Sequence, residues 1–235
     1  MMNSMSLKEK KTCCIFGAAP LGFSPEIPQG SLIIAADGGL RHLLDRGIRP
    51  DTVLGDFDSL GAKPSVECEL ITLPVEKDDT DTGFAVKTAL SRGCRRIFLL
   101  GGSGGERPDH TLANLQTLVY IAKHGAQGFL TDGRHAFTAL SGASKLSFGA
   151  VNRGNISVFS AEGAAEGVTL HGLKYPLENA TLTGDFPLGV SNSFLPKGEE
   201  ASVEVKSGSL WVCFDCSDIP LCDYPAVNSL PRREA

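Results

Sequence analysis

The 235-residue sequence predicts an α/β fold in which a parallel sheet is followed by antiparallel strands. Two observations predict it. Up to about residue 142, short apolar runs alternate with helical periodicity, which is typical of strands buried on both faces of a parallel sheet. From about Ser144, helical periodicity disappears, and short alternating runs are separated by Gly, Asn and Pro, which indicates antiparallel strands. We therefore expect a Rossmann-like α/β domain over 1–142 and a β-sandwich over 143–235.

The elements of the first domain follow from its apolar runs and their stop signals. Three helices are predicted, ending at Gly47, at Gly93 and near His124. Their inward residues should be Leu40, Leu43 and Leu44 in the first helix, Phe84, Ala85, Ala89 and Leu90 in the second, and Leu112, Leu115, Leu118, Val119 and Ala122 in the third. The predicted strands are 13–17, 31–36, 52–56, 69–73, 96–100 and a sixth from Gly128.

In the second domain we predict strands at 155–160, 167–170, 180–183, 201–205 and 209–214. The tail after Asp218 contains three prolines and shows no clear element, so we expect it to drape over the surface or fray.

Composition excludes several classes of function. Hydrophobic residues make up 42% and charged residues 21%, which allows a sizeable core, and the net charge of −5 argues against a nucleic-acid-binding surface. Seven scattered cysteines favour reduced thiols and a cytoplasmic protein. The lone C-x-x-C, Cys213 to Cys216, lacks the second pair that a structural zinc site needs. No apolar stretch suits a signal peptide or a membrane span.

An acidic pair, Asp56 and Asp58, follows the third predicted strand. Residues two apart in an extended chain point the same way, so the two carboxylates should project together. A divalent cation, namely Mg²⁺ on a phosphate substrate, would relieve their repulsion. A simple turn is the alternative, because Asp, Ser and Gly favour turns.

Three further polar clusters also follow strands of the predicted parallel sheet. Asp37 follows the second strand, Asp78 and Asp81 lie beyond the fourth, and a glycine-rich loop with Arg107 follows the fifth. In such sheets ligands bind beyond the carboxyl ends of the strands. The convergence of these clusters with Asp56 and Asp58 therefore predicts a metal-and-phosphate site.

The roles within these clusters are open at several points. Asp78 and Asp81 could complete a Mg²⁺ site with Lys77 contacting a phosphate oxygen, or Asp78 could cap the second helix while Asp81 complements its dipole. The glycine loop 101–105 could bring backbone N–H groups to phosphates, or be a flexible turn.

Around Arg107, the same cluster offers three more side chains. The guanidinium group of Arg107 is suited to bind an anion. Asp109 should cap the third helix, and could hold Arg107 or a substrate hydroxyl. His110 suits a structural role or a ligand contact better than a general base.

Taken in order, these motifs resemble the thiamine pyrophosphokinase family. The matching stretches are 36–39, 55–59, 77–81, 100–102 with 107–110, 172–177 and 189–192. The resemblance implies transfer of a diphosphoryl group from ATP to thiamine by a homodimer whose site lies between the α/β domain of one subunit and the β domain of the other. It implies Mg²⁺ as cofactor, held by Asp56, Asp58 and Asp78 or Asp81.

The resemblance also implies the substrate contacts. Asp37, Gly38, Gly102, Arg107, Asp109 and His110 would lie around ATP, and Ser191 and Asn192 would contact thiamine. Some relatives carry a tryptophan soon after the Ser-Asn pair. Here Phe194 either replaces that ring, or the aromatic contact is absent. Rival functions are the same transfer to a hydroxymethyl pterin, metal-dependent nucleotide hydrolysis and nucleotide sensing without catalysis.

Overall fold

The computed structural model describes residues 11–56, 67–74, 76, 78–149, 153–196 and 200–230. The first half contains β1 Lys11–Phe16, β2 Leu32–Ala36, α1 Gly39–Leu44, β3 Thr52–Gly55, β4 Glu69–Thr72, α2 Asp81–Ser91, β5 Cys94–Leu100, α3 Pro108–Lys123 and β6 Gln127–Thr131. The second half contains β7 His135–Ser141, β8 Ser144–Phe148, β9 Asn155–Ser160, β10 Ala164–His171, β11 Leu177–Thr183, β12 Gly189–Ser193, β13 Ala201–Val205, β14 Ser209–Asp215 and β15 Ala226–Ser229.

The larger sheet has ten strands in the order β12-β9-β14-β7-β6-β5-β1-β2-β3-β4. The six strands from β6 to β4 are parallel, which confirms the predicted parallel sheet. After β4 the chain crosses to the other side of β1 to form β5. The loops after β1 and β5 therefore flank a topological switch point, where ligands bind in open α/β sheets.

The predicted change to antiparallel pairing in the second half is confirmed. A separate five-stranded sheet, β11-β10-β13-β8-β15, is antiparallel throughout. However, β9, β12 and β14 join β7 and continue the larger sheet, so strands from both sides of the proposed 142/143 boundary share it. That boundary and the Rossmann-like assignment stay predictions.

Two layers of core cover the two faces of the larger sheet. Alternate residues of β1 show this, because Cys13 and Ile15 pack in the cluster with α2 and α3, whereas Cys14 and Phe16 pack in the other. The second cluster contains the inward residues of α1 and of the five-stranded sheet, including Leu40, Leu146, Val168 and Val203. Period-2 alternation within one strand thus supplies both layers.

Two of the predicted helix faces are partly wrong. Leu44 is 55% exposed and Leu112 is 60% exposed. The buried side of α3 runs through Asn114, Leu118 and Ile121, and Leu112 lies two residues before Asn114, about 200° around the helix. In α1, Leu40 and Leu43 are buried, but the helix ends at Leu44 and the chain turns towards Gly47, whose φ is 63°.

The tail forms regular structure within the described residues up to Leu230, where we expected no clear element. A 3-10 turn at Leu221–Asp223 leads into β15, which pairs with β8. Two contacts hold the tail in place, and the sequence pattern shows neither of them. Tyr224 packs edge-on against Phe98 and Phe129 at 5.8 and 5.2 Å, and Arg96 donates to its carbonyl at 2.8 Å. No helix among the described residues is long and apolar enough to cross a bilayer.

Candidate functional site

Backbone hydrogen bonds tie the strand ends at the carboxyl edge of the parallel strands. Gly17 N donates to Leu100 O at 2.8 Å and Ala19 N to Gly101 O at 2.9 Å, which joins the loops after β1 and β5. Asp37 N donates to Leu54 O at 2.8 Å, next to Asp56. The predicted clusters at Asp37, Asp56 and the glycine loop are therefore neighbours along one edge.

Two glycines allow the close approach of these segments. A Cβ atom at Gly17 would lie 2.6 Å from the Gly101 carbonyl oxygen, and one at Gly39 would overlap the carbonyl oxygen of Phe16. The absence of a side chain at Gly17 lets the loops after β1 and β5 touch. The second brings the start of α1, with Gly38 at its N-cap, directly onto the end of β1.

Strained backbone marks two of the predicted site residues. Among the described residues, four that are not glycine have positive φ, and they include Asp37 at 48° and Ser191 at 58°. Such conformations are uncommon for side chains with a Cβ and concentrate at functional positions. The strain at Asp37 coincides with the end of β2, where the switch-point loops meet.

The acidic segment at the start of α2, residues 78–81, is organised differently from our expectation. Thr80, not Asp78, caps the helix, because its hydroxyl accepts from Gly83 N at 3.0 Å. Asp78 is exposed, and Asp81 is the first residue of the helix. Asp79 makes two local contacts. It accepts from Thr80 N at 2.8 Å and pairs with Lys87 Nζ at 2.7 Å.

A cleft of about 550 Å³ opens beside this segment, between α2 and α3. Its polar lining comes from both helices and from the acidic segment: Asp78, Asp79, Thr80, Lys87, Gln116, Thr117 and Tyr120. The Lys87 ammonium lies 5.6 Å from the Phe84 ring and 6.0 Å from the Tyr120 ring. Its pKa is raised by the hydrogen bond to Asp79, so it stays cationic.

Carboxylates that could hold a metal follow neighbouring strands. Asp56 follows β3 and the acidic segment follows β4. Leu73, one residue after β4, donates from its N–H to Gly55 O at 2.9 Å. Within the described ranges, no three His, Cys, Asp or Glu side chains cluster tightly enough to form a metal site by themselves. Asp58 and Lys77 lie outside those ranges. One or two carboxylates completed by substrate phosphate oxygens are what Mg²⁺ uses, and the described residues fit that arrangement.

The glycine loop is held by α3. Asn114, which is buried, donates from Nδ2 to Gly102 O at 2.7 Å, and Gly104 N donates to the Thr111 hydroxyl at 3.2 Å. A Cβ atom at Gly102 would lie 2.9 Å from a methyl carbon of Leu130. The loop therefore has a defined position, which argues against the simple flexible turn.

Arg107 and Asp109 form a bidentate pair at the start of α3. Arg107 Nε donates to Oδ1 at 3.0 Å and its NH2 to Oδ2 at 2.7 Å, with both side chains largely exposed. This hydrogen bonding lowers the pKa of Asp109 to about 2. Arg107 occupies the N-cap position, so Asp109 holds the guanidinium rather than capping the helix. His110 is exposed beside them.

The predicted thiamine residues lie on β12 and differ from each other. Ser191 is exposed, and its N–H donates to Ser157 Oγ at 3.1 Å. Asn192 is only 2% exposed, and its amide binds the backbone of Tyr175. Phe194 is 8% exposed and packs edge-on against Phe148 at 5.0 Å, so it offers no open ring face.

Sequence reasoning missed five residues of this region: Asp79, Lys87, Thr111, Asn114 and Tyr175. A signal existed for three of them. Lys87 is a cation eight residues after Asp79, and Thr111 and Asn114 are polar residues three apart on the predicted buried side of a helix. No pattern could have shown that Tyr175 is bound by Asn192, because the contact joins β12 to the loop between β10 and β11, 17 residues earlier.

Family models match both halves of the chain. The model described as thiamin pyrophosphokinase, catalytic domain, matches residues 24–130, and the one described as thiamin pyrophosphokinase, vitamin B1 binding domain, matches 150–210. A thiamine pyrophosphokinase of Bacillus subtilis is 30% identical over 194 residues, which is 79% of this chain and 90% of that protein. The chain belongs to the thiamine pyrophosphokinase family.

Solved structures agree with this membership of the thiamine pyrophosphokinase family. The crystal structure of the Bacillus subtilis thiamine pyrophosphokinase has a TM-score of 0.76 and 28% identity, and the match covers 89% of this chain and 100% of that one. Yeast thiamin pyrophosphokinase has a TM-score of 0.67 at 14% identity over 88% of this chain and 87% of that one, which shows the shared fold.

Proposed function

We propose that the protein transfers the diphosphoryl group of Mg-ATP to the hydroxyethyl group of thiamine, giving thiamine diphosphate and AMP. Family membership supports the reaction. The observation that carries the assignment of the site is the shared edge of the parallel sheet, where Asp37, Asp56, the acidic segment and the glycine loop follow neighbouring strands.

In this proposal the nucleotide occupies the switch point between the β1 and β5 loops. Backbone N–H groups of the glycine loop and the guanidinium of Arg107 bind phosphate oxygens. The hydroxyl oxygen of thiamine bonds to the β-phosphorus of ATP while the bond from that phosphorus to the oxygen shared with the α-phosphate breaks. The protein contributes alignment and charge neutralisation more than covalent chemistry.

We assign the metal ligands to Asp56, Asp58 and one of Asp78 and Asp81, with Lys77 on a phosphate. Bound Mg²⁺ would neutralise charge on the transferring phosphates. Asp79 faces Lys87 instead, so we leave it out of the ligand set.

The low pKa of Asp109 argues against this residue as the proton acceptor. A general base works best with a pKa near the operating pH, and Arg107 holds the pKa of Asp109 at about 2. We therefore assign Asp109 to orienting Arg107. Asp81 is then the remaining candidate of the two to receive the hydroxyl proton.

The proposed site needs two subunits for a geometric reason. Ser191 and Asn192 lie on β12, eight strand spacings from β3 and Asp56. At about 4.8 Å per spacing this is roughly 38 Å, too far for thiamine to bridge within one chain. A homodimer in which β12 of one subunit lies against the carboxyl edge of the other brings the thiamine residues close to Asp56.

An apolar surface supports that dimer. Phe186, Leu188 and Val190 are 64%, 48% and 44% exposed on and before β12, which is an edge strand of the larger sheet. Exposed apolar residues on an edge strand are a typical association surface.

We also place the protein in the cytoplasm, since all seven cysteines are free thiols.

One assay tests the proposal. The protein is incubated with Mg-ATP and thiamine, and AMP and thiamine diphosphate are followed together. We expect the two products in equal amounts, with no AMP when thiamine or Mg²⁺ is omitted. AMP release without thiamine would indicate the hydrolase instead, and turnover with a hydroxymethyl pterin but not with thiamine would also overturn the proposal.

A further inference from the structure

A cavity lies at the amino ends of the parallel strands, on the opposite edge of the sheet from the candidate site. This amino-edge cavity has a volume of about 650 Å³, and its lining comes from the starts of β5 and β6, the end of α3, the turn between β7 and β8, and β15. Arg96 and Gly101 are five residues apart along β5, so roughly 17 Å separates the cavity from the glycine loop. The two sites are therefore distinct.

The charged side chains that line the amino-edge cavity are two arginines. Arg95 and Arg96 both border it, and within the described part of the chain no Asp or Glu does so. Its uncharged polar lining is Gln127, Ser141, Ser144, Asn228 and Ser229. The cleft between α2 and α3 is different, because there Lys87 is balanced by Asp78 and Asp79. The amino-edge cavity thus carries positive charge without a carboxylate in its described lining.

Arg96 is half-buried and is held by neutral groups. Its NH2 donates to Tyr224 O at 2.8 Å and its NH1 to Gln127 Oε1 at 3.2 Å. The guanidinium also lies 5.4 and 5.0 Å from the ring centroids of Phe98 and Phe129. Burial lowers the pKa of Arg96, as expected for a cation withdrawn from water. The guanidinium therefore has a fixed position, and it forms no ion pair with any described residue.

Arg95 supplies the second cation from the solvent side. It is exposed, and its NH1 donates to Cys94 O at 3.0 Å, which turns the guanidinium back towards the start of β5. Among the residues that the structure describes, it also forms no ion pair. Arginines withdrawn from water are usually paired with anions, and the guanidinium group matches the geometry of phosphate oxygens. Two arginines bordering one cavity without an acidic neighbour are therefore suited to a phosphate group.

We propose that the amino-edge cavity binds the phosphate group of a small molecule through Arg95 and Arg96. Its volume lies in the range of small-molecule sites. Because neutral partners already hold Arg96 in place, little conformational entropy is lost when the anion binds. The serine hydroxyls and the Asn228 amide can donate to the remaining phosphate oxygens. The proposal goes beyond the proposed function, since it uses no residue assigned to the reaction.

Titration with inorganic phosphate, followed by amide NMR without nucleotide or Mg²⁺, tests the proposal. We expect the resonances of Gln127 and Asn228 to shift and saturate. In Arg95→Gln the affinity measured at these resonances should fall at least about tenfold, as for loss of a charge-assisted hydrogen bond. Arg49→Gln is the matched control, because Arg49 precedes β3 at the same edge but already pairs with Glu67 at 3.5 Å. It should bind phosphate as the wild type does.

A second variant separates this binding from phosphate at the catalytic edge. Arg107→Met should leave the titration of Gln127 and Asn228 unchanged, because Arg107 lies beyond the other end of β5. Loss of these shifts in Arg107→Met together with their retention in Arg95→Gln would overturn the proposal. So would the absence of a saturable shift at Gln127 and Asn228 in the wild type.

Ribose 5-phosphate distinguishes an organic phosphate from free phosphate. Affinity at least about threefold higher than that of inorganic phosphate would identify a phosphate ester as the ligand, and equal affinity would identify the free anion. Either result supports the site, whereas saturable binding of neither compound overturns it.

Activity keeps this proposal separate from the proposed function. Arg95→Gln should form thiamine diphosphate with the wild-type kcat. A wild type that forms no thiamine diphosphate but shows the phosphate titration would refute the proposed function and leave the amino-edge site standing. A wild type that is active but shows no titration would refute the amino-edge site alone.

Discussion

At the scale of single residues, the candidate site combines strained backbone with strong local pairing. Asp37 is held at a φ of 48° with its N–H bonded to Leu54 O, and Arg107 and Asp109 hold each other through two hydrogen bonds. These constraints set side chains before any ligand arrives, which is how a site avoids reorganisation during phosphoryl transfer. Two predictions belong at this scale.

Asp56→Asn should lower kcat at least about 100-fold, because it removes a charge that stabilises the transition state while keeping the shape of the side chain. The thermal midpoint should change little. Asp45→Asn, an exposed carboxylate at the end of α1, is the matched control and should keep normal turnover. Near-normal kcat in Asp56→Asn would remove Asp56 from the metal site.

The carboxyl group of Asp109 should remain ionised down to a pH of about 2, because Arg107 lowers its pKa. A depressed carboxyl pKa means that the pair is fully formed at neutral pH and is lost as the pH falls through about 2. Carbon-detected NMR of the Asp109 carboxyl measures this directly. In Arg107→Met the pKa should return towards its ordinary value near 3.8. An unchanged titration in that variant would refute the pairing.

At the scale of elements, α2 is the helix that positions the acidic segment. Thr80 caps it, and Asp79, one residue before the cap, pairs with Lys87 inside the helix. Gly83 makes room, since a Cβ atom there would overlap the Asp79 carboxylate. Asp79 thus fixes the chain between Asp78 and Asp81, one of which is the proposed third metal ligand.

Lys87→Met should lower kcat by about tenfold or more, because the acidic segment loses the contact that holds Asp79, and small displacements at a phosphoryl-transfer site are costly. Lys87→Arg keeps the charge and should retain most of the activity. The free energy of unfolding should change by less than about 1 kcal/mol in both, since the pair is partly exposed. Equal kcat values for wild type and Lys87→Met would show that the pair has no positioning role.

At the scale of the whole molecule, the ten-stranded sheet both separates and connects the two proposed substrate sites. Its continuity from β4 to β12 keeps Asp56 and Asn192 far apart in one chain. The tail stiffens this arrangement, because Tyr224 and Arg96 join the five-stranded sheet to β5 and β6. Two predictions follow from these long-range contacts.

Hybrid dimers should recover activity from two defective chains. If Asp56→Asn and Asn192→Ala act at sites on opposite sides of the interface, a mixed dimer has one intact site. Random mixing of equal amounts should then give on the order of a quarter of wild-type activity, since half of the dimers are hybrids with one of two sites intact. Each parent alone is the control. No gain on mixing and refolding would contradict a shared site.

Tyr224→Ala should lower the free energy of unfolding by about 3–5 kcal/mol, as for removal of a buried aromatic side chain. Tyr224→Phe removes only the hydroxyl, which lies 3.0 Å from Cys216 Sγ and 3.1 Å from Thr131 Oγ1, and should cost about 1 kcal/mol. Urea unfolding measures both. A small effect of Tyr224→Ala would mean that the tail does not hold the two sheets together.

Local patterns predicted most of the first half of the fold. Strands that are buried on both faces read as continuous apolar runs, and Gly47, Gly93 and Gly125 end helices at positive φ. The exposed positions of Leu44 and Leu112 could not be predicted, because burial depends on where the sheet lies and not only on helical spacing. The capping role of Thr80 was missed because three neighbouring residues could each cap a helix.

The sequence by itself determined the parallel sheet, the order of the acidic and glycine-rich clusters and the family, since these depend on local periodicity and on motifs in register. Only the tertiary structure decided that β9, β12 and β14 extend the same sheet, that Asn192 holds Tyr175 and that Asp79 pairs with Lys87. The first two are contacts between segments far apart in the chain, and the third depends on which of several adjacent carboxylates the helix start turns inward. Packing selects among such arrangements, and a local pattern does not encode that choice.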